Sequence, residues 1–225
     1  MAEFDTIAEN YRELVDQNVR VTGESSDYFA AYKAEYIARR VAPRGAGKLL
    51  DYGCGVGLLS RHLKSCLVEL RIDGFDVSRG SLDRVDEGLL GQGIFTSNLN
   101  ELGKDYDVVV LANVLHHVKP KDRQALLGEA ISRLADDGKL VVFEHNPINP
   151  LTRWAVSRCA FDGDAVLLPK QETQSHLQTC GVQILRREYV VFFPRWLALL
   201  RPLEPSLSWC PLGAQYAVVA ARRPR

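Results

Sequence analysis

The stretch "LLDYGCGVGLLS", Leu49 to Ser60, sets glycines at 53, 55 and 57 directly after an apolar run, with Asp51 two places before the first of them. The run reads as a strand that stops near Tyr52, and the residues from Leu58 read as the start of a helix. Few residues remain for the turn between them, so its backbone must adopt conformations that side chains would obstruct. The three glycines also leave bare main chain, against which a ligand can lie at the helix N-terminus. Taken alone, such a turn serves nucleotides of several kinds or is merely structural.

Working outward, β-type runs alternate with helical stretches from Lys48: "KLLDYG", a helix over 58–66, "ELRIDGFDVS", "RGSLDRVDEGLL", a weak strand "GIFTSN", "YDVVVLANVL", "KDRQALLGEAISRLADDG" and "KLVVFEHN". Strands rich in Val, Leu and Ile that alternate with helices predict a parallel sheet covered by helices on both faces. After Asn146 the rhythm changes. The Pro-rich tract 147–171 has no clean period and reads as an insertion; a helix "ETQSHLQTCG" and a strand "VQILRREYVVFF" follow. A second insertion, "PRWLALLRPLEPSLSWCPLG", separates that strand from the last one, "AQYAVVAARR". Two final strands predict a C-terminal β-hairpin on a Rossmann-like, doubly wound sheet of seven mostly parallel strands. The first 42 residues read as two helices, "FDTIAENYRELVDQNV" and "SSDYFAAYKAEYIARRV".

A second signal sits at Asp76 in "IDGFDVS", nineteen residues beyond Gly57. In a doubly wound sheet the ends of the first two strands lie side by side, so an acid there can accept both hydroxyls of a ribose. The plainer reading, a cap for the helix that begins near Ser78, accounts for only half of the pattern.

The run "LLDYGCGVGLL", with "GFDVS", "YDVVVLANVLHHV" and "DDGKLVVFE" in this order and spacing, resembles the class I S-adenosylmethionine-dependent methyltransferases of the small-molecule type. The likeness is close over about residues 45–146 and general in layout at the ends. The glycines follow acidic-x-G-x-G-x-G, whereas a nicotinamide fingerprint wants G-x-G-x-x-G, and position 58 is Leu. The resemblance implies S-adenosyl-L-methionine as cofactor. It sets Asp51, Gly53, Cys54, Gly55 and Gly57 at the methionine half, and Asp76 with Val77 at the ribose. Asn98 and Leu99 stand where the family often has an acid near the adenine, Asn113 and Val114 fall on the sulfonium side, and Tyr11 closes over the cofactor. It further implies one domain over 1–225: a helical lid at 1–42, a cofactor core at 45–146, and acceptor-side insertions with the last two strands at 147–225.

Methyl transfer is an in-line displacement, in which holding the acceptor in place carries much of the rate. A base is needed only where the acceptor atom loses a proton. His116 and His117, just past the fourth strand, are the first candidates, with His117 slightly ahead, and His145 in "FEHNPINP" is their rival. Glu144 and Asn146 beside it face the same crevice. Expected activity is therefore methylation of a small-molecule acceptor, on oxygen before nitrogen or carbon. Its competitor is a protein of this fold that keeps the cofactor without methylating.

Composition sets the remaining bounds. With 28 basic and 28 acidic residues there is no net field to hold a nucleic-acid backbone, so no nucleic-acid partner is expected. Five scattered cysteines, none spaced CxxC, suit neither a disulfide framework nor a metal site. No secretory signal or long apolar run is visible, and the expected location is cytoplasmic, as a monomer or homodimer. Residues 151–225 carry ten Arg and Lys against five Asp and Glu. Within them "VVFFPRWLALLRPLEPSLSW" offers two readings: packing on the sheet or a subunit, or a helix lying at a membrane interface with an amphiphilic acceptor delivered there.

Overall fold

The computed structural model describes residues 23–42, 45, 47–159 and 165–223. The expected helix over 4–19, with Tyr11, lies outside the described residues. Among those described, seven strands form one sheet in the order β3-β2-β1-β4-β5-β7-β6. They are β1 (Gly47–Tyr52), β2 (Leu70–Phe75), β3 (Phe95–Thr96), β4 (Tyr106–Ala112), β5 (Leu134–His145), β6 (Val182–Val190) and β7 (Gln215–Arg222). The first five run parallel, while β7 is antiparallel to both β5 and β6, which makes the predicted C-terminal hairpin.

The order reverses between β1 and β4, where Leu49, Leu50 and Asp51 align with Val108, Val109 and Val110. Chain leaving the two strands parts to opposite sides there and leaves a crevice at their C-terminal ends. Both sheet faces are apolar because helices cover both. One face buries Leu50, Val109, Leu111, Leu140 and Val142; the other buries Leu49, Val108, Val110, Val141 and Phe143. Alternate residues of β4 thus go to opposite cores, which is why its sequence is apolar throughout.

Seven α-helices accompany the sheet among the described residues: α1 (Ser26–Arg40), α2 (Leu58–Cys66), α3 (Arg79–Leu82), α4 (Glu87–Leu90), α5 (Arg123–Ser132), α6 (Pro150–Arg158) and α7 (Lys170–Thr179). Helix α2 has the boundaries that the sequence predicts. The single helix expected over "RGSLDRVDEGLL" is two short ones, because Asp86 accepts the Gly88 amide and starts a new N-cap in its middle. The expected strand near 93–98 shrinks to Phe95–Thr96. The tract 147–171 conceals α6, whose N-cap Asn149 accepts the Thr152 amide at 3.0 Å and whose first residue is Pro150. The Leu197-rich insertion is no continuous α-helix; residues Arg195–Leu207 wind as kinked 3₁₀ turns around Pro202 and Pro205, which cannot donate to a helical ladder.

Candidate active site

The C-terminal ends of β1, β4, β5 and the start of β7, with α1 and α6 above them, enclose a cavity of about 510 Å³. Its wall includes Asp51, Gly53, Cys54, Gly55, Asp76, Val77, Asn113, Val114, His116, His117 and His145 from the expected residues, with Lys33 and Gln215 added. Gly57, Asn98 and Leu99 are not part of this wall.

The glycine turn explains itself residue by residue. Gly53 has φ +87°, and a Cβ there would lie 2.5 Å from Val114 Cγ2, so β1 and β4 approach too closely for a side chain. Its amide and that of Cys54 both donate to Phe75 O, which ties the turn to the end of β2. Gly57, at φ +74°, caps α2 and would crowd Val85 and Leu89, which makes its role one of packing. Gly55 differs. At φ +52° a Cβ would meet nothing within 4 Å, in a turn that lines the cavity.

Asp76 spans this turn: Oδ2 accepts the Gly55 amide at 2.7 Å and Oδ1 accepts the Ser78 amide at 2.8 Å. Ser78, not Asp76, caps α3 by accepting the Ser81 amide. Asp51 is buried and accepts from Ser60 Oγ at 2.7 Å. Burial outweighs that bond and pushes its pKa from 3.8 up to about 6. Burial likewise raises the Cys54 thiol. Asn98 points elsewhere: it accepts the Asn100 amide and donates to Glu101, closing a 3₁₀ turn, while Leu99 packs on the core.

The polar floor lies under β4 and β5. Asn113 sits at φ +61°, in the left-handed region that Asn tolerates better than most residues. Lys33, on α1, donates to its Oδ1 at 2.8 Å. Lysine has only donors, so the Asn113 amide nitrogen must be the atom 2.9 Å from His145 Nε2, and that Nε2 accepts. His145 therefore carries its proton on Nδ1 and has its basic nitrogen engaged. Burial pulls Lys33 down to about 8, against the attraction of Glu144 and Asp51.

His116 is buried, and its Nδ1 lies 2.6 Å from Glu144 Oε2; Oε1 of the same carboxylate accepts the Leu115 amide at 2.6 Å. Burial would raise Glu144, but the charge and hydrogen bond of His116, with His145 and the Leu115 amide behind them, hold it below its ordinary value. An ionised Glu144 accepts a hydrogen bond from Nδ1–H of His116, so that in the neutral ring Nε2 is the nitrogen able to take a proton. His117 stacks against His116 with ring centroids 4.1 Å apart. Asn146 is spent on structure, its amide donating to Pro211 O and Gly213 O.

Sequence reasoning missed Lys33, Gln215 and Arg123. Gln215 is buried at the start of β7, with Oε1 unpartnered in the cavity wall. Arg123, fully buried on α5, donates to Leu115 O, Val118 O and Val166 O and pairs with Glu172 at 2.8 Å, so it locks the loop that carries both histidines.

Comparison with known proteins agrees with this geometry. The family described as methyltransferase domain matches residues 26–165. An uncharacterized methyltransferase of Staphylococcus carnosus (strain TM300) is 26% identical over 133 residues, which cover 57% of this chain and 62% of that one. The ribosomal RNA small subunit methyltransferase C of Pseudomonas aeruginosa (strain LESB58) is 33% identical over 102 residues, 42% of this chain and 31% of that protein. The chain thus spans less than two thirds of the length of these curated relatives. Among solved structures, the magnesium protoporphyrin IX methyltransferase of Synechocystis PCC 6803, with S-adenosylhomocysteine bound, shares the fold at 17% identity. Its TM-score is 0.67, with 97% of this chain and 95% of that one covered. Glycine turn, sheet order and family match coincide: the chain belongs to the methyltransferase-domain family.

Proposed function

We propose that the cavity holds S-adenosylmethionine over the 53–55 turn and methylates an oxygen of a small, amphiphilic acceptor held against α6. The cavity's own make-up supports the cofactor's position. Gly55 leaves room in which a side chain would intrude, Asp76 places its carboxylate in the cavity wall beside that turn, and Asp51 offers a buried carboxylate suited to a cationic group. When bound, the cofactor supplies a methyl group already activated by its sulfonium.

The residues of this chain orient, desolvate and take up a proton. Asp76 would accept from the ribose hydroxyls, and the buried carboxylate of Asp51 would accept from the amino group. Lys33 and Asn113 fix His145 as a donor from Nδ1, which suits it to hold an acceptor oxygen. His116 takes the acceptor's proton at Nε2 while Glu144 stabilises the resulting imidazolium, an arrangement worth about a hundredfold or more in rate. This pairing with Glu144 is the single observation that carries the choice of an oxygen acceptor. Leu126, Leu151, Ala155 and Val156 give the wall that an acceptor's apolar body meets.

The test is incubation of the protein with methyl-labelled S-adenosylmethionine and a panel of phenols, carboxylic acids and amines bearing apolar tails. Label in ether or ester products supports the reading. Label in amines alone, with His116→Ala inert to the change, contradicts it.

A further inference from the structure

Helix α6 is apolar on two sides. Thr152, Ala155, Val156 and Cys159 face the cavity, whereas Leu151, at 44% exposed, and Trp154, at 42%, face outward, with Ile148 just before them. An ordinary amphipathic helix keeps its outer face polar. The outer face also continues beyond the helix. Asn149 donates to Leu212 O at 2.6 Å, Thr152 Oγ1 donates to Ala214 O at 2.9 Å, and Asn146 holds Pro211 and Gly213. These bonds fasten the start of α6 to the end of the second insertion, where Trp196 (73%), Leu199 (96%), Leu203, Trp209 (75%) and Leu212 all stand exposed.

The charges on these two segments have one sign. Arg153, Arg158 and Arg195 are exposed and pair with no carboxylate among the described residues, and Arg158 stacks 4.7 Å over Trp154. Between 146 and 159 there is no acidic residue, and between 191 and 214 Glu204 alone is acidic; it is buried and accepts the Phe192 and Phe193 amides. Arg201 is turned inward on Glu24 and Tyr28.

We infer that α6 and the turns over 195–212 form a docking face for an anionic lipid surface. Tryptophan and leucine would enter the interface while the arginines meet lipid phosphates. A second copy of the chain suits this face poorly, because symmetric contact would bring like-charged arginines together with no exposed acid between them. Leu151 belongs both to the exposed face and to the cavity wall, so the face borders the site. On the proposed methyl-transfer reading, the acceptor is then a membrane-resident amphiphile that enters past Leu151.

The experiment is flotation with vesicles of phosphatidylcholine alone and of phosphatidylcholine mixed with phosphatidylglycerol, beside calorimetry with S-adenosylhomocysteine. The protein is expected to float with the mixed vesicles at low salt and to be released as salt rises. Binding should fall about tenfold or more in Trp196→Ser/Leu199→Ser, and again in Arg153→Glu/Arg158→Glu, with homocysteine-cofactor affinity unchanged in both. Absence of flotation at low salt, or flotation that both double variants retain, overturns the inference. So does a concentration-dependent dimer, lost in Trp196→Ser/Leu199→Ser, from a protein that ignores vesicles. Failure to bind S-adenosylhomocysteine with flotation intact strikes the cofactor reading alone.

Discussion

Single residues decide which histidine is chemically equipped. His116 and His117 are indistinguishable in sequence, because adjacency says nothing about which ring meets a carboxylate contributed by β5. Glu144 arrives from 28 positions away and meets His116. His116→Ala is expected to lower turnover about a hundredfold or more with little change in cofactor affinity, whereas His117→Ala and His145→Ala cost less. Steady-state kinetics beside calorimetry on the three variants decides this; equal losses in all three would remove the Glu144 argument. Asp51 gives a pH signature. Its pKa is raised from 3.8 to about 6 on folding, so the native protein binds the proton more tightly than the unfolded chain. The stabilising effect of that proton is complete below 3.8 and is lost as pH rises through about 6, up to about 3 kcal/mol in all. Denaturant melts across this window should therefore show Asp51→Asn gaining on the parent protein as pH rises, and parallel curves would contradict the assignment. Lys33 escaped sequence reading for a related reason: on α1 a lone lysine among tyrosines reads as solvated, and only the approach of Asn113 buries it.

At the scale of elements, legibility followed burial. Strands β1, β4 and the second half of β5 could be read because both their faces are covered, so the sequence there is largely apolar; the first half of β5, from Leu134, could not, because its polar stretch 136–138 continues the segment read as a helix. Helix α2 could be read because its polar face is in solvent and its start is marked by glycine. Helix α6 could not, since apolar residues on two sides erase the 3.6-residue period. The turns over 195–207 could not either, because Trp and Leu beside Pro202 and Pro205 suit both a helix and an irregular segment. Arg123 shows what holds elements together here. Three carbonyls from the histidine loop and Val166 converge on its guanidinium, and burial leaves them no water as substitute. Arg123→Ala is expected to cost about 3 kcal/mol or more, with Arg123→Lys recovering little, because one ammonium cannot span three directions. Chemical denaturation measures it, and a loss under about 1 kcal/mol would mean that the loop holds itself.

The whole molecule is a switch-point crevice at the ends of β1 and β4, closed above by α1 and α6. Among the described residues no helix is long and apolar enough to cross a membrane. The half of the cavity wall made by the glycine turn and Asp76 could be read because a backbone turn and a distant acid leave fixed spacings in the sequence. The other half could not, because it comes from α1, α6 and the start of β7, which meet only in the folded chain.

Gly55 lies where these halves join, and it supports the most direct test. A side chain there is strained by about 1–3 kcal/mol, yet no protein atom lies within 4 Å of its Cβ, so the fold should survive while the cofactor's space is filled. Calorimetric titration with S-adenosylhomocysteine is the measurement, on the parent protein, Gly55→Val and Asp76→Ala, each verified as folded by circular dichroism. The account predicts binding by the parent, none detectable in Gly55→Val, and a loss of about 1.5–3 kcal/mol in Asp76→Ala. Undiminished affinity in both folded variants would contradict it.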